Sequence, residues 1–229
     1  MNYPIILHIE TSTNVCSVAL SENSNCLFFK SNADGMNHAA LLSVFIADAL
    51  EVLKKTTKKL NAVSVSSGPG SYTGLRIGVS TAKGLCYGLD IPLIAVSTLE
   101  VLTAQALQII NEENALFCPM IDARRMEVYS AFYNLGGLIQ REISADIIES
   151  DTYAEILANQ PVYFFGNGAE KCKTTLTHPN ARFIDQLVPL AKNMIPLAEK
   201  AFIEKQFVDT AYFEPFYLKE FQTSTPKKA

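Results

Sequence analysis

The sequence predicts an α/β protein whose two halves form similar lobes. In each half, three short β-prone segments are followed by an amphipathic helix, a further strand and a further helix. A polar break at residues 112–114 separates the halves, so we expect a first lobe at residues 1–112 and a second lobe at residues 113–229. With 229 residues, of which 48% are hydrophobic, the chain is long enough for two lobes of about 110 residues each.

The first half contains five segments with strand character and three with helical spacing. The predicted strands are residues 4–9, 15–20, 26–30, 62–66 and 92–96. The predicted helices are residues 37–53, 73–89 and 97–110. A side chain able to cap each helix stands at its start, namely Asn37, Ser71 or Thr73, and the capping-box sequence Ser97–Glu100. Short turns join the first three strands, which indicates an antiparallel meander.

The second half repeats this order. Its predicted strands are residues 116–121, 127–133, 138–143, 162–165 and 182–184. Its predicted helices are residues 152–159, 169–175 and 188–205. Pro196 is expected to kink or split the last helix, because proline lacks the N–H that a helix interior needs. The polar residues 223–229 are expected to fray.

The composition disfavours several classes of protein. The net charge is −4 and the pI about 5.4, so the chain lacks the overall positive charge of a protein that binds nucleic acid by itself. No apolar run is long enough to span a bilayer, and the N-terminus lacks a secretory signal pattern. The scattered cysteines form no CxxC pair, which indicates reduced, mostly buried thiols in a cytoplasmic protein. They are Cys16, Cys26, Cys86, Cys118 and Cys172.

A glycine-rich turn joins the fourth predicted strand to the second helix. Gly68, Pro69 and Gly70 end the strand, and the helix begins directly after them. Such a turn can bind an anion at the helix N-terminus, or it can be a tight strand-to-helix connection. Its spacing matches neither of the common nucleotide-binding glycine patterns.

Small residues form a stripe along the second helix. Gly74, Gly78 and Ala82 recur at every fourth position and therefore lie on one face. Glycine within a helix costs roughly 1 kcal/mol relative to alanine, so the stripe indicates a surface that approaches the helix backbone closely. That surface can belong to another helix of this chain or to a helix of another protein.

The same stretch resembles the signature of a known protein family. Residues 68–85, GPGSYTGLRIGVSTAKGL, are nearly identical to the corresponding sequence of the bacterial TsaB family, also called YeaZ. Further stretches resemble other motifs of that family, and they are residues 6–13, 37–42, 122–129 and 214–219. Lys219 stands where the family more often has arginine.

The resemblance implies a fold and a function. The fold is that of two ribonuclease-H-like lobes, as in the actin, sugar kinase and heat-shock ATPase superfamily, in which nucleotide binds between the lobes. The function is that of a non-catalytic subunit that binds and activates a TsaD-type transferase. That related enzyme transfers a threonylcarbamoyl group to adenosine 37 of tRNAs that read ANN codons.

The resemblance also implies partners and cofactors. A TsaE-type ATPase completes the set, and TsaB proteins form homodimers when TsaD is absent. Transfer RNA is expected to bind only through the complex. The ATP or ADP and the metal belong to the partner subunits, so no cofactor, metal or catalytic residue is expected on this chain alone.

In this family the helices of the first lobe contact the TsaD-type partner, which agrees with the small-residue stripe. We therefore expect the first and second helices to form a two-helix interface. The expected contact residues are His38, Leu41, Leu42, Phe45, Tyr72, Thr73, Gly74, Leu75, Gly78, Val79 and Ala82.

The turn after the first strand carries residues that could face a cofactor. Glu10, Thr11 and Ser12 stand where related ATP-binding families have Asp-Thr-Ser. The glutamate is one methylene longer, and Mg²⁺ demands near-ideal octahedral geometry, which argues against active nucleotide chemistry. The other interpretation is a polar turn whose hydroxyls bond their own backbone.

The turn at residues 122–127 also allows two interpretations. Arg124 and Arg125 lie beside Asp122 and Glu127, so they could bind a phosphate or form ion pairs at a turn that faces the cleft between the lobes.

An enzymatic alternative is a small ATP-binding or ATP-hydrolysing protein of the same superfamily. Residues 10–12, 68–70 and 166–168 would then line a nucleotide cleft. Peptidase chemistry is disfavoured, because HExxH and GxSxG are absent. His8, His38 and His178 are too far apart to form the helix pair that holds the metal in TsaD.

Overall fold

The computed structural model describes residues 3–35 and 37–219, which form two five-stranded mixed sheets. The first sheet has the order β3-β2-β1-β4-β5, with β1–β3 antiparallel and β1, β4 and β5 parallel. Its strands are β1 (Ile5–Glu10), β2 (Cys16–Glu22), β3 (Asn25–Asn32), β4 (Ala62–Gly68) and β5 (Leu93–Ser97). The predicted meander is therefore confirmed.

The second sheet repeats this arrangement. Its order is β8-β7-β6-β9-β10, again with an antiparallel meander followed by two parallel strands. Its strands are β6 (Leu116–Asp122), β7 (Glu127–Tyr133), β8 (Ile139–Ile147), β9 (Val162–Phe165) and β10 (Ala181–Ile184). The repeated order is that of two ribonuclease-H-like lobes, so the predicted actin-like fold is confirmed.

Five α-helices connect or follow the strands of the described chain. They are α1 (His38–Lys54), α2 (Tyr72–Leu89), α3 (Thr98–Ala106), α4 (Ala154–Asn159) and α5 (Ile195–Ile203). Ser71 caps α2, since its Oγ accepts a hydrogen bond from the Gly74 N–H at 3.3 Å. Asn37 and Ser97 occupy the N-cap positions of α1 and α3 without a capping side-chain hydrogen bond.

Two predicted helices differ from the structure. The helix predicted at residues 169–175 is wrong, because this segment forms only a short 3-10 turn, Glu170–Cys172. The helix predicted at residues 188–205 is split into a 3-10 turn, Ala191–Met194, and α5, as Pro196 suggested. Proline stands in the first turn of α5, where its missing N–H would have no partner in the helix. The tail at residues 223–229, predicted to fray, lies outside the described residues.

Two helices, α3 and α5, connect the lobes. Helices α1 and α2 cover one face of the first sheet, and α5 covers the opposite face, where Ala198 packs near Ile6 and Ile94. Helix α3 lies between the sheets: Leu99 and Leu102 share a cluster with Phe117 of the second sheet, and Val101 shares one with residues of the first sheet. Helix α5 thus belongs in space to the first sheet, although the division predicted at residue 112 assigns its residues to the second lobe.

A buried histidine lies in the middle of the first sheet. The two ring nitrogens of His8 are hydrogen-bonded to Ser64 Oγ at 2.7 Å and to Ser21 Oγ at 2.8 Å. Burial lowers the pKa of His8 from 6.5 to about 3, because the charged imidazolium would lose its hydration. The fold therefore favours the neutral ring.

We expect the protein to lose stability through His8 as the pH falls below 6.5. Between pH 6.5 and about 3 the unfolded chain protonates this histidine and the folded chain does not, so its stabilising contribution is complete above pH 6.5 and declines below it. The slope is about 1.4 kcal/mol per pH unit. Urea unfolding at pH 6.5 and 5.5 should show the wild type losing about 1 kcal/mol more than His8→Gln. Equal losses would contradict a buried neutral histidine.

The cysteines are mostly buried, as the sequence predicted. All five cysteines are free, and Cys26 alone among them is exposed. Within residues 3–35 and 37–219, no helix has both the length and the apolar character needed to cross a bilayer.

Candidate functional site

A cleft of about 790 Å³ separates the two lobes. The first lobe contributes the turn at Ser12 and the starts of α1 and α2, and the second lobe contributes the turn that contains Asp122 and Arg124. Residues 216–219 form a further wall. The cleft therefore brings together several of the segments that the sequence singled out.

The turn after β1 is buried rather than open to the cleft. Glu10, Thr11 and Ser12 are each inaccessible to solvent, and of the three only Ser12 lines the cleft. Glu10 Oε1 accepts a hydrogen bond from the Ser12 N–H at 2.6 Å, and Thr11 Oγ1 donates one to the Gly74 carbonyl at 2.8 Å. The turn is thus a polar structural turn, but the predicted bonds from its hydroxyls to its own backbone are not the ones found: the Glu10 carboxylate bonds the turn, and the Thr11 hydroxyl bonds α2.

The Glu10 carboxyl lies in an environment that disfavours its charge. Burial raises its pKa, although hydrogen bonds from Ser12, Ser66 and Thr11 act in the opposite direction. This acid therefore holds the turn in place.

The glycine stripe of α2 packs against this same turn. A Cβ at Gly74 would lie 2.1 Å from the Thr11 carbonyl oxygen, and a Cβ at Gly78 would lie 2.2 Å from Thr11 Oγ1. Both distances are far below van der Waals contact. The close surface that the stripe predicted exists, but it is a turn of this chain and not another helix.

Most of the expected interface residues therefore point into the first lobe. The buried ones are Leu42, Phe45, Gly74, Leu75, Gly78, Val79 and Ala82. They pack against the first sheet or the turn after β1, which corrects their assignment as direct contacts of a partner. His38, Leu41, Tyr72 and Thr73 are partly or fully exposed and remain predicted contacts.

A different set of residues forms the outward face of α1 and α2. Val44 is 50% exposed, and several small residues of the two helices are exposed with it: Ala39, Ala40, Ser43, Ala47, Ser80 and Gly84. The larger exposed residues of the same helices include Glu51, Arg76 and Tyr87. A Cβ at Gly84 would meet no atom within 4 Å. Sequence reasoning missed this face because it considered only one series of small residues in α2, namely Gly74, Gly78 and Ala82. Ser80, Gly84 and Gly88 form a second series at the same spacing.

The acids of the second-lobe turn form ion pairs, though not with the predicted arginines. Lys171 pairs with Asp122, and Lys219 pairs with Glu127 at 2.5 Å. Arg124 and Arg125 both adopt positive φ angles, of 72° and 49°. The Arg124 N–H donates to Asp122 Oδ1 at 3.0 Å, which stabilises the turn, and the residue lines the cleft.

The remaining candidates are separated in the structure. His38 Nε2 lies 2.8 Å from the Thr13 carbonyl at the start of α1, far along the chain from the buried His8. Asn167, in the glycine turn of the second lobe, accepts the Asp122 N–H at 3.0 Å and so braces the neighbouring turn. In the part of the chain that the structure describes, no group of three or more histidine, cysteine or acidic side chains is placed to hold a metal ion.

Comparison with known proteins supports the same family as the sequence motifs do. A family model described as TsaD, tRNA N6-adenosine threonylcarbamoyltransferase, matches residues 34–224. The tRNA threonylcarbamoyladenosine biosynthesis protein TsaB of Escherichia coli is 30% identical over 220 residues, covering 93% of this chain and 94% of the relative. TsaB of Bacillus subtilis is 33% identical over 165 residues, covering 71% and 70%.

A solved structure extends the likeness to three dimensions. YeaZ from Pseudomonas aeruginosa superposes with a TM-score of 0.79 at 26% identity, covering 94% of this chain and all of that one. Sequence, family model and fold agree over nearly the whole length. The chain therefore belongs to the TsaB (YeaZ) family of tRNA threonylcarbamoyladenosine biosynthesis proteins.

Proposed function

We propose that this chain is a non-catalytic subunit that binds and activates a TsaD-type transferase. The transferase would modify adenosine 37 of tRNAs that read ANN codons, with a TsaE-type ATPase as a further partner. Transfer RNA, nucleotide and metal would be bound by the assembly or by its other subunits. A complex that acts on tRNA and contains free thiols would function in the cytoplasm.

The outward face of α1 and α2 carries this proposal. It combines the half-exposed Val44 with small side chains, so a partner helix can approach closely and bury apolar surface. Burial of this kind stabilises an interface by roughly 25 cal/mol for each Å² of apolar surface. The buried stripe beneath it supports the surface by fixing α2 against the turn after β1.

The state of Glu10 supports the non-catalytic part of the proposal. A carboxylate that binds Mg²⁺ must be ionised and must reach the ion. Glu10 is inaccessible to solvent, its pKa is raised by burial, and one of its oxygens is engaged by the Ser12 N–H. Its role in this family member is thus to shape the turn that receives α2.

We expect Val44→Asp to weaken the complex with the TsaD-type protein of the same organism by about 100-fold. The substitution would place an unpaired charge in the interface, and its desolvation opposes binding. Light scattering after size-exclusion chromatography measures complex formation, and threonylcarbamoyl transfer to tRNA measures activation. Because Val44 is half-exposed, the subunit itself should unfold at the same urea concentration as the wild type.

Leu138→Asp is the matched control. Leu138 is 65% exposed in a turn of the second lobe, so it receives the same charge change at a comparable exposure. This variant should form the complex and support transfer like the wild type. Equal binding by Val44→Asp and Leu138→Asp would exclude the proposed face, and no complex with the wild type would exclude the proposed partner.

The inter-lobe cleft favours a second candidate, a small ATP-binding or ATP-hydrolysing enzyme. Its wall carries Arg124, whose guanidinium is suited to a phosphate. Calorimetric titration of Mg-ATP into the chain alone separates the candidates. Micromolar binding with turnover would support the enzyme and contradict a non-catalytic subunit.

A further inference from the structure

After α5 the chain continues along the first lobe, from β5 to α2. We call residues 207–219 the C-terminal strap. Its first part is held by hydrogen bonds, from the Val208 N–H to the Leu93 carbonyl and from Lys83 Nζ to the carbonyls of Ala211 and Phe213, each at 3.0 Å. The strap is therefore anchored on β5 and α2.

The middle of the strap sits over the glycine turn that opens α2. The Phe216 N–H donates to the Ser67 carbonyl at 2.7 Å. A Cβ at Gly68 would lie 2.7 Å from the Phe216 carbonyl oxygen, so the bare glycine makes room for the strap backbone. The Tyr217 ring packs on Tyr72, in the first turn of α2, with the ring centres 4.8 Å apart. Gly68 thus has a structural role beyond ending β4.

The end of the strap crosses to the other lobe. Lys219 pairs with Glu127 on β7 at 2.5 Å, and residues 216–219 line the cleft between the two contacts. The strap therefore contacts both walls of the cleft, while α3 and α5 join the lobes elsewhere.

We propose that the C-terminal strap is a releasable latch that holds the two walls of the cleft together. Its anchors are a backbone hydrogen bond to β5 and two hydrogen bonds that the Lys83 ammonium on α2 donates to strap carbonyls. Its closing contacts are an aromatic pair and an ion pair between partly exposed side chains, which is weak in water. A latch of this design opens without unfolding either lobe, and its opening exposes the cleft.

Hydrogen–deuterium exchange of the full chain tests the latch. In the double variant Tyr217→Ala/Lys219→Gln, the amides of residues 122–127 and 11–14 should exchange about two- to tenfold faster than in the wild type. Amides in the centres of β1 and β6 should keep their wild-type rates, because they report opening of the lobes themselves.

The matched control is Tyr212→Ala/Lys173→Gln. Tyr212 is an 85% exposed residue of the same strap, and Lys173 forms ion pairs with Glu170 and Asp185 away from the cleft. This control should leave exchange at both cleft segments unchanged. Wild-type exchange in the Tyr217→Ala/Lys219→Gln variant would overturn the latch, and so would an equal acceleration in the control. Neither result bears on binding of the transferase, which is measured separately.

Discussion

Gly78→Ala is expected to lower the free energy of unfolding by about 3 kcal/mol, a large effect for one methyl group on a helix. The added Cβ would lie 2.2 Å from Thr11 Oγ1, and both groups are fully buried. Either the turn after β1 or α2 must move, which disturbs the packing of the helix on the first sheet. Urea unfolding followed by circular dichroism measures the change. Gly78→Leu, which adds more volume, should prevent folding.

Gly84→Ala is the control for this prediction, because it makes the same change in the same helix. A Cβ at Gly84 would meet nothing within 4 Å, so only the helix preference of alanine should be felt. We expect stabilisation by about 0.5–1 kcal/mol. A similar effect of both substitutions would show that the stripe at Gly78 is not closely packed.

A second substitution should distinguish the two glycines that contact Thr11. Thr11→Ala removes the oxygen that faces Gly78, and the next atoms there are 3.5 Å from the added Cβ, which is ordinary contact. It should therefore rescue most of the loss in Gly78→Ala. It should not rescue Gly74→Ala, because that Cβ meets the main-chain oxygen of Thr11 at 2.1 Å. Rescue of both or of neither would contradict this geometry.

The order of elements could be predicted because each local signal agreed with the fold. Alternation and apolar runs identified the strands, and the capping residue Ser71 and Pro196 fell at the starts of helices. The helix predicted at residues 169–175 failed because so short a segment gains few hydrogen bonds against the cost of nucleation. Tertiary packing left it as one 3-10 turn, Glu170–Cys172.

The placement of α3 between the sheets and of α5 on the first sheet could not be predicted from periodicity. β1 is buried along its whole length, so both of its faces are covered and its sequence does not say by which helix. An amphipathic stripe shows that a helix is packed, but the stripes of α3 and α5 would suit either sheet. Long-range contacts decide between them.

The small-residue stripe illustrates the same limit at the candidate site. The spacing of Gly74 and Gly78 correctly indicated a close approach, because interior glycines destabilise a helix unless the backbone needs the room. It could not identify the approaching group. The turn at Thr11 is more than sixty residues away in sequence, and only the parallel pairing of β1 with β4 brings it to the start of α2.

A partly buried polar network in the second lobe also lay beyond sequence reasoning. Arg141 and Asp146 are five residues apart on β8, and strict alternation would place them on opposite faces. A bulge puts them together, because Ser130 opposes Ser144 while Phe132 opposes Arg141. Between these two pairings β8 advances by three residues while β7 advances by two. The extra residue brings Arg141 and Asp146 to the same face of the sheet.

We expect Asp146→Asn to lower the free energy of unfolding by about 3 kcal/mol at pH 7. The carboxylate is paired with Arg141 and accepts hydrogen bonds from Tyr153 Oη at 2.6 Å and Ser144 Oγ at 2.8 Å. The substitution leaves a partly buried guanidinium without its counter-ion, between the rings of Phe132 and Tyr153. Urea unfolding measures the loss.

The pH dependence and a surface control identify the source of that loss. Burial alone would raise the pKa of Asp146, but hydrogen bonds from Arg141, Ser130 and Tyr153 outweigh it and lower the pKa. The carboxylate therefore stabilises the fold above its unfolded pKa of 3.8, and that contribution disappears as the pH falls through the lower folded value. The difference in the free energy of unfolding between the wild type and Asp146→Asn should therefore narrow towards pH 3.

The surface control is Asp185→Asn, which removes an exposed ion pair with Lys173. It should lower the free energy of unfolding by no more than about 1 kcal/mol. Equal losses in the two variants would mean that burial adds nothing to the Arg141 pair.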